Sequence, residues 1–322
     1  MTVMRKYLSS LALLCMALVS VRCSGSPEEV IKDDIDKPSD TTITMTNPFD
    51  FVKKTVLLNS GYEMPIIGIG TYLLSSSQAE QSVYNALKVG MRLIDTADIY
   101  GNEDGVGRGI RRAMQDFGIS REEIFVTSKL WTSTFNNADY EIDERLERLG
   151  LDYIDLLLLH HTAPYDEEAY LAMERGVKSG KIRSIGLSNF YEDDIDRMMQ
   201  KVAIKPAVLQ NETHPYHQSK SVKEHIAKLG TVLEAWFPLG GRGTGIRTLS
   251  EHETILDIAQ AHGKSAYQII LRWHLQSGVI AIPGSSNADH IAEDFDIFDF
   301  ELTAQEMQRI NALECNHRFA SY

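Results

Sequence analysis

The stretch LIDTADIYGNE (residues 93–103) is a short apolar run that breaks into polar residues at Asp95 and reaches Tyr100 a few positions later. Two runs downstream end the same way: IFVTSKLW (124–131) delivers Lys129, and IDLLLLHH (154–161) delivers His160 and His161. Short continuous apolar runs of this kind read as buried strands. Polar groups at the C-terminal ends of successive parallel strands meet at the catalytic face of a (β/α)8 barrel. The expectation is a TIM barrel that gathers an acid and its tuning partners at one mouth.

Working outward, β-branched runs alternate with helix-period segments from Pro65 onward, a rhythm of βα units. Strands are expected to begin near Ile66, Arg92, Ile124, Ile154, Ile182, Ala207, Val232 and Val279, enough to close a barrel. Val83, Ala86, Leu87 and Val89, and later Ala266, Ile269, Ile270 and Trp273, keep the spacing of helices that pack one face inward, with Ser265 as N-cap of the second. Asn59-Ser60-Gly61 between apolar stretches predicts a hairpin across the barrel floor. Gly105, Gly107 and Gly109 imitate a dinucleotide fingerprint. Asn102-Glu103-Asp104 precede them where such a fingerprint needs an apolar strand, so they are expected to permit close helix packing instead.

In order and spacing, Asp95, Tyr100, Lys129 and His160 resemble the catalytic tetrad of the aldo-keto reductases. The resemblance implies reduction of a carbonyl, with hydride delivered to carbon and a proton to oxygen. Tyr100 would be the acid, and a neighbouring Lys129 ammonium would stabilise the phenolate it leaves. Asp95 would keep Lys129 charged and aimed, while His160 would orient the substrate oxygen. His160 beside His161 also admits a metal reading with Asp95 or Asp98 as oxygen ligands, but that reading gives Tyr100 and Lys129 no part and no metal is expected.

The resemblance extends to a nicotinamide site. Ser188 and Asn189 in SIGLSNF, and Gln210 in LQNETHP, match residues that hydrogen-bond the cofactor's carboxamide, which needs both donors and acceptors. Trp236 in EAWFPLGG stands where relatives stack an aromatic ring, usually Tyr, on the nicotinamide. Leu239, Gly240 and Gly241 match the loop that approaches the pyrophosphate. At the adenosine end the chain departs from the NADPH-preferring pattern: Gly284 and His290 replace the usual Lys and Arg, leaving Ser285, Ser286, His290 and Asp294 as candidate contacts. Charge-assisted contacts to phosphate are roughly twice as strong as neutral ones. NADP(H) is therefore expected to bind more weakly than is usual in the family, with NAD(H) tolerated. Tyr72, Trp131 and His161 should line the substrate pocket. His161 where many relatives carry Trp, and a short segment after Arg318, imply small or open-chain aldehydes, ketones or sugar-derived carbonyls. The alternative from another class is a barrel that binds nicotinamide as a redox sensor or scaffold with little turnover.

The chain has 322 residues, 43% of them hydrophobic, so one barrel of about 250 residues uses most of it. A formal charge of −13 argues against non-specific nucleic-acid binding. Arg5-Lys6 precede an apolar stretch from Leu8 to Val21, the pattern of a signal peptide and too short for a comfortable membrane span. Residues 1–23 are expected to be a signal or lipoprotein leader, with Cys23 as the acylation candidate, although Arg22 sits where lipoprotein cleavage sites carry a small residue. Residues 24–48, rich in Ser, Thr, Asp and Pro, read as a disordered linker that would tether the barrel of residues 49–322 to a membrane surface. Export, as a periplasmic lipoprotein or otherwise, is the expected location, with the cytosolic side as the alternative. Many relatives are monomers, and the same is expected here.

Overall fold

A computed structural model describes residues 47–320. The leader and all but the end of the linker lie outside the described residues. Ten strands occur among the described residues: β1 Thr55–Leu57, β2 Glu63–Pro65, β3 Gly68–Gly70, β4 Leu93–Asp95, β5 Phe125–Leu130, β6 Ile154–Leu159, β7 Ile182–Ser188, β8 Val208–Glu212, β9 Val232–Trp236 and β10 Val279–Ala281. The helices are α1 Ser76–Val89, α2 Glu103–Phe117, α3 Ala138–Leu149, α4 Asp166–Lys178, α5 Glu192–Met199, α6 Lys220–Ala227, α7 Thr244–Ser250, α8 Glu253–His262, α9 Ala266–Gln276, α10 Ala288–Phe295 and α11 Ala304–Asn311.

Strands β3 to β10 form one parallel sheet in sequential order. It closes where Ile67 bridges Ala281 in parallel, Ala281 N donates to Ile66 O at 3.2 Å, and Gly70 N donates to Pro283 O at 2.9 Å. This is the (β/α)8 barrel. Its strands are buried on both faces, which is why β6 is an unbroken apolar run apart from Asp155. That carboxylate accepts from Arg121, Arg183 and the Val126 amide at the end of the barrel away from the mouth.

Strands β1 and β2 are the expected hairpin. Asn59 Nδ2 donates to Pro206 O at 2.9 Å and Ser60 Oγ lies 2.8 Å from Ser184 Oγ, which holds the turn against the N-terminal ends of β7 and β8. Both foreseen helices are present. Ser75 caps α1 and Ser265 caps α9, each in a reciprocal box with a glutamine three residues on. The three glycines of α2 serve packing: a Cβ at Gly105 would lie 2.0 Å from Ser76 O, one at Gly107 2.0 Å from Leu149 O, and one at Gly109 2.6 Å from Glu80 O. Their absent side chains let α2 press against the start of α1 and the end of α3.

Candidate active site

Each tetrad residue owes its position to a strand end. Asp95 is the last residue of β4, Lys129 the fifth of β5, and His160 follows β6 directly. Tyr100 lies beyond β4 in a tight 3-10 turn, Asp98–Tyr100, that Gly101 ends with φ 65°. Lys129 is fully buried, and its Nζ donates to Asp95 Oδ1 at 2.6 Å, to Thr96 O at 3.0 Å and to the Tyr100 hydroxyl at 3.2 Å. Burial works against the ammonium, but the Asp95 carboxylate and the Tyr100 oxygen outweigh it and hold the Lys129 pKa above the ordinary lysine value. The lysine therefore stays charged although its side chain is fully buried. For His160 burial dominates, and Lys129 and His161 add to it, so its pKa falls to about 2 and the ring is neutral. Its Nδ1 is buried without a hydrogen-bond partner, which leaves Nε2 as the nitrogen available to a ligand.

The tetrad opens into a cavity of about 1120 Å³, including the part open to solvent. Asp95, Tyr100 and His160 reach its wall, whereas Lys129 stands behind them and meets the cavity side only through its contact with the Tyr100 hydroxyl. The three expected pocket residues are present there. Tyr72 packs on Tyr100 with ring centroids 5.1 Å apart, His161 stacks on His160 at 5.2 Å, and Trp131 meets both histidines edge-on. Leu73, Ile99 and Phe237 complete an apolar rim. The carboxylates a metal would enlist are engaged elsewhere: Asp95 with Lys129 and Gln210, and Asp98 with the Trp131 amide and Arg145.

Ser188, Asn189, Gln210, Trp236, Leu239 and Gly241 line the same cavity on the side of β7 to β9. Asn189, at φ 58°, is the hub of that wall: its Nδ2 donates to His160 O at 2.9 Å and to Ser188 Oγ at 3.1 Å, while its Oδ1 accepts from Trp236 Nε1 at 3.1 Å. It therefore positions its neighbours more than it offers free groups. Gln210 uses its amide nitrogen twice within the protein, which leaves its carbonyl oxygen to meet an amide N–H.

The residues expected at the adenosine end, and Gly240 of the loop expected at the pyrophosphate, stand outside the lining of this cavity. Gly240 faces the protein, where a Cβ would meet Leu249, Gly245 and Phe319, and the neighbouring Gly241 faces the cavity. Ser285, Ser286, His290 and Asp294 lie off the cavity wall, which ends at Gly284. Ser285 Oγ is occupied with the Asn287 backbone at the start of α10, and His290 is exposed. Asp294 shares the buried side of α10 with Ile291, and burial, then Glu293, pushes its carboxyl up to about 7.

Sequence reasoning passed over Arg145, Glu234 and Arg242. Arg145 sits on the apolar face of α3 with Ala138, Ile142 and Leu149, and it reaches Asp98 at 3.1 Å, Glu103 at 2.9 Å and Glu141 at 3.2 Å. Through Asp98 it ties the turn bearing Tyr100 to the Trp131 amide. A lone arginine on an apolar stripe was the available signal. Arg242 lines the cavity on the loop after β9 and supplies a cation to its wall.

The match to known proteins agrees with this geometry. The aldo/keto reductase family model matches residues 66–314. The NAD(P)H-dependent D-xylose reductase I,II of Candida tropicalis is 37% identical over 82% of this chain and 94% of its own length. The glyoxal reductase of Bacillus subtilis (strain 168) is 41% identical over 83% of this chain and 95% of its own. The crystal structure of Bombyx mori aldo-keto reductase in complex with NADP superposes with a TM-score of 0.77 at 35% identity, covering 83% of this chain and 94% of that one. The chain belongs to the aldo/keto reductase family and is an oxidoreductase of carbonyl and alcohol groups.

Proposed function

We propose that this enzyme reduces small or open-chain aldehydes, ketones or sugar-derived carbonyls with NADP(H), and that it accepts NAD(H). The observation that carries the reading is one fully buried ammonium held 2.6 Å from Asp95 and 3.2 Å from the Tyr100 hydroxyl, beside a neutral His160 at a cavity wall. The donor side fits a nicotinamide dinucleotide: Gln210 offers an acceptor, Trp236 an aromatic face, and Gly241 and Gly284 backbone without side chains. When bound, that cofactor supplies the hydride.

Tyr100 gives its hydroxyl proton to the carbonyl oxygen as charge develops there. The Lys129 ammonium stabilises the resulting phenolate without touching substrate, and Asp95 keeps that ammonium charged. Neutral His160 donates from Nε2 to the same oxygen and fixes its approach. Tyr72, Leu73, Ile99, Trp131 and Phe237 take up the apolar part of the substrate, and His161 adds one polar contact.

The test follows NADPH loss with a generic aldehyde. Tyr100→Phe should lower kcat by about 10²- to 10⁴-fold, the scale of general acid catalysis, with NADPH affinity unchanged. Equal turnover in the variant would mean a barrel that binds nicotinamide without using this acid. A preference for NADPH over NADH above about a thousandfold would contradict the tolerance of NAD(H) inferred from Gly284 and His290 standing where NADPH-preferring relatives carry Lys and Arg. The same reading includes a leader-borne membrane tether, and fractionation of cells expressing the full chain should place it with membranes in a manner that Cys23→Ser abolishes.

A further inference from the structure

A third acidic side chain stands in the barrel beside the Asp95–Lys129 pair, and no step above uses it. Glu234 lies in the middle of β9, in register with Gln210 of β8, and is fully buried. Gln210 Nε2 donates to Glu234 Oε2 at 2.8 Å and to Asp95 Oδ2 at 2.8 Å. The other oxygen, Glu234 Oε1, is buried with no hydrogen-bond partner. Enclosing a carboxyl here costs desolvation that an apolar strand residue would not incur. The groups acting on it are Gln210 from β8, Asp95 from β4 and Lys129 from β5.

We propose that Glu234 is a positioning residue for cofactor binding: with Asp95 it engages both N–H groups of Gln210, so that the amide can present only its carbonyl oxygen to the nicotinamide carboxamide. An amide flip would take the N–H donors from both carboxyls and set the Gln210 oxygen against the Asp95 carboxylate, which has no proton to give, so the orientation is set before any ligand arrives. Burial, then the charge of Asp95, pushes the Glu234 carboxyl up to about 8, so it is the neutral acid at neutral pH. Glutamine is therefore its fair mimic, with an acceptor oxygen in the same place. The inference rests on the reading that Gln210 meets the carboxamide.

The experiment titrates the full chain with NADPH and with 2',5'-ADP, which carries the adenosine end and lacks the nicotinamide. Glu234→Leu removes one acceptor from Gln210 and should weaken NADPH about tenfold, the effect of a misplaced hydrogen bond, while leaving 2',5'-ADP affinity unchanged. Glu234→Gln should keep both affinities. Removing the carboxyl leaves one buried Gln210 N–H without an acceptor and costs stability, so Glu234→Met, with a more adaptable side chain, serves as the apolar variant should Glu234→Leu fail to fold. The proposal is overturned if the apolar variant binds NADPH as tightly as the native chain, if it weakens both ligands alike, or if Glu234→Gln loses as much as Glu234→Leu. Gln210→Ala separates the two levels: unchanged NADPH affinity there overturns the carboxamide reading itself, whereas selective NADPH loss there with none in Glu234→Leu overturns the role of Glu234 alone.

Discussion

At the scale of the residue, the site depends on which groups hold charge in a dry environment. His160 is the informative case because histidine ordinarily changes charge near pH 6.5. Burial, reinforced by Lys129 and His161, lowers its folded pKa to about 2, so the folded ring stays neutral while an unfolded ring takes a proton below about pH 6.5. Its contribution to stability is present above that unfolded value and is lost as pH falls below it. For catalysis, kcat between about pH 5 and pH 7 should show no inflection from this ring. His160→Gln should lower kcat without changing the shape of the profile in that range. A native inflection near pH 6 that vanishes in the variant would show that the ring titrates in the working site. The tetrad was legible in the sequence because each member ends or follows a buried run, where a polar residue has few structural reasons to stand. Glu234 was legible only as an oddity in the strand Val232–Trp236, since its partners Gln210 and Asp95 come from other strands. The faces that Gly240 and Asp294 turn to the protein were not legible for the same physical reason: motif spacing gives position along the chain, and the face turned to the cavity is decided by packing.

At the scale of the element, strands and helices were recoverable from pattern because a parallel barrel buries strands completely and helices on one side. Closure was expected from the count of eight strands, but the contacts that make it were not legible, since Ile66, Ile67 and Gly70 find Ala281 and Pro283 from the far end of the chain. The glycines of α2 make a sharp test of the packing argument. A Cβ at Gly105 would meet the Ser76 backbone carbonyl at 2.0 Å, and backbone cannot rotate away as a side chain can. Alanine has the better helix propensity and would stabilise a free helix by about 1 kcal/mol relative to glycine. Overpacking should win: Gly105→Ala is expected to destabilise by about 1–3 kcal/mol net in urea unfolding. A gain in stability would show that α2 has room to shift against α1, and that its glycines are there for another reason.

At the scale of the whole molecule, the last described segment is bound to the barrel two residues beyond Gln210. Glu212, fully buried at the end of β8, accepts from Arg318 Nε at 3.0 Å, from Phe319 N at 2.6 Å and from Ala320 N at 3.3 Å, with His214 Nε2 at 3.1 Å. Phe319 in turn lies against the loop after β9, where a Cβ at Gly240 or Gly245 would meet its ring at 2.9 Å. That loop also carries Leu239, Gly241 and Arg242 of the cavity wall. One carboxylate thus couples the tail to the loop expected to meet the cofactor's phosphates. Burial pushes the Glu212 carboxyl up, but His214, the Phe319 amide and Arg318 together outweigh it and hold its pKa below the ordinary glutamate value. The sign follows: its stabilisation is present above the unfolded pKa of about 4.5 and is lost as pH falls through the lower folded value. Glu212→Gln should therefore cost about 1.5–3 kcal/mol at neutral pH, the range for a hydrogen bond to a charged group, and progressively less in acid. Residues 314–320 should exchange amide hydrogens faster in the variant, and NADPH affinity should fall while kcat at saturating NADPH holds, because the tetrad takes no part in the tie. If the tail exchanges faster but NADPH affinity is untouched, the tail and the loop are mere neighbours and the coupling through Phe319 is wrong.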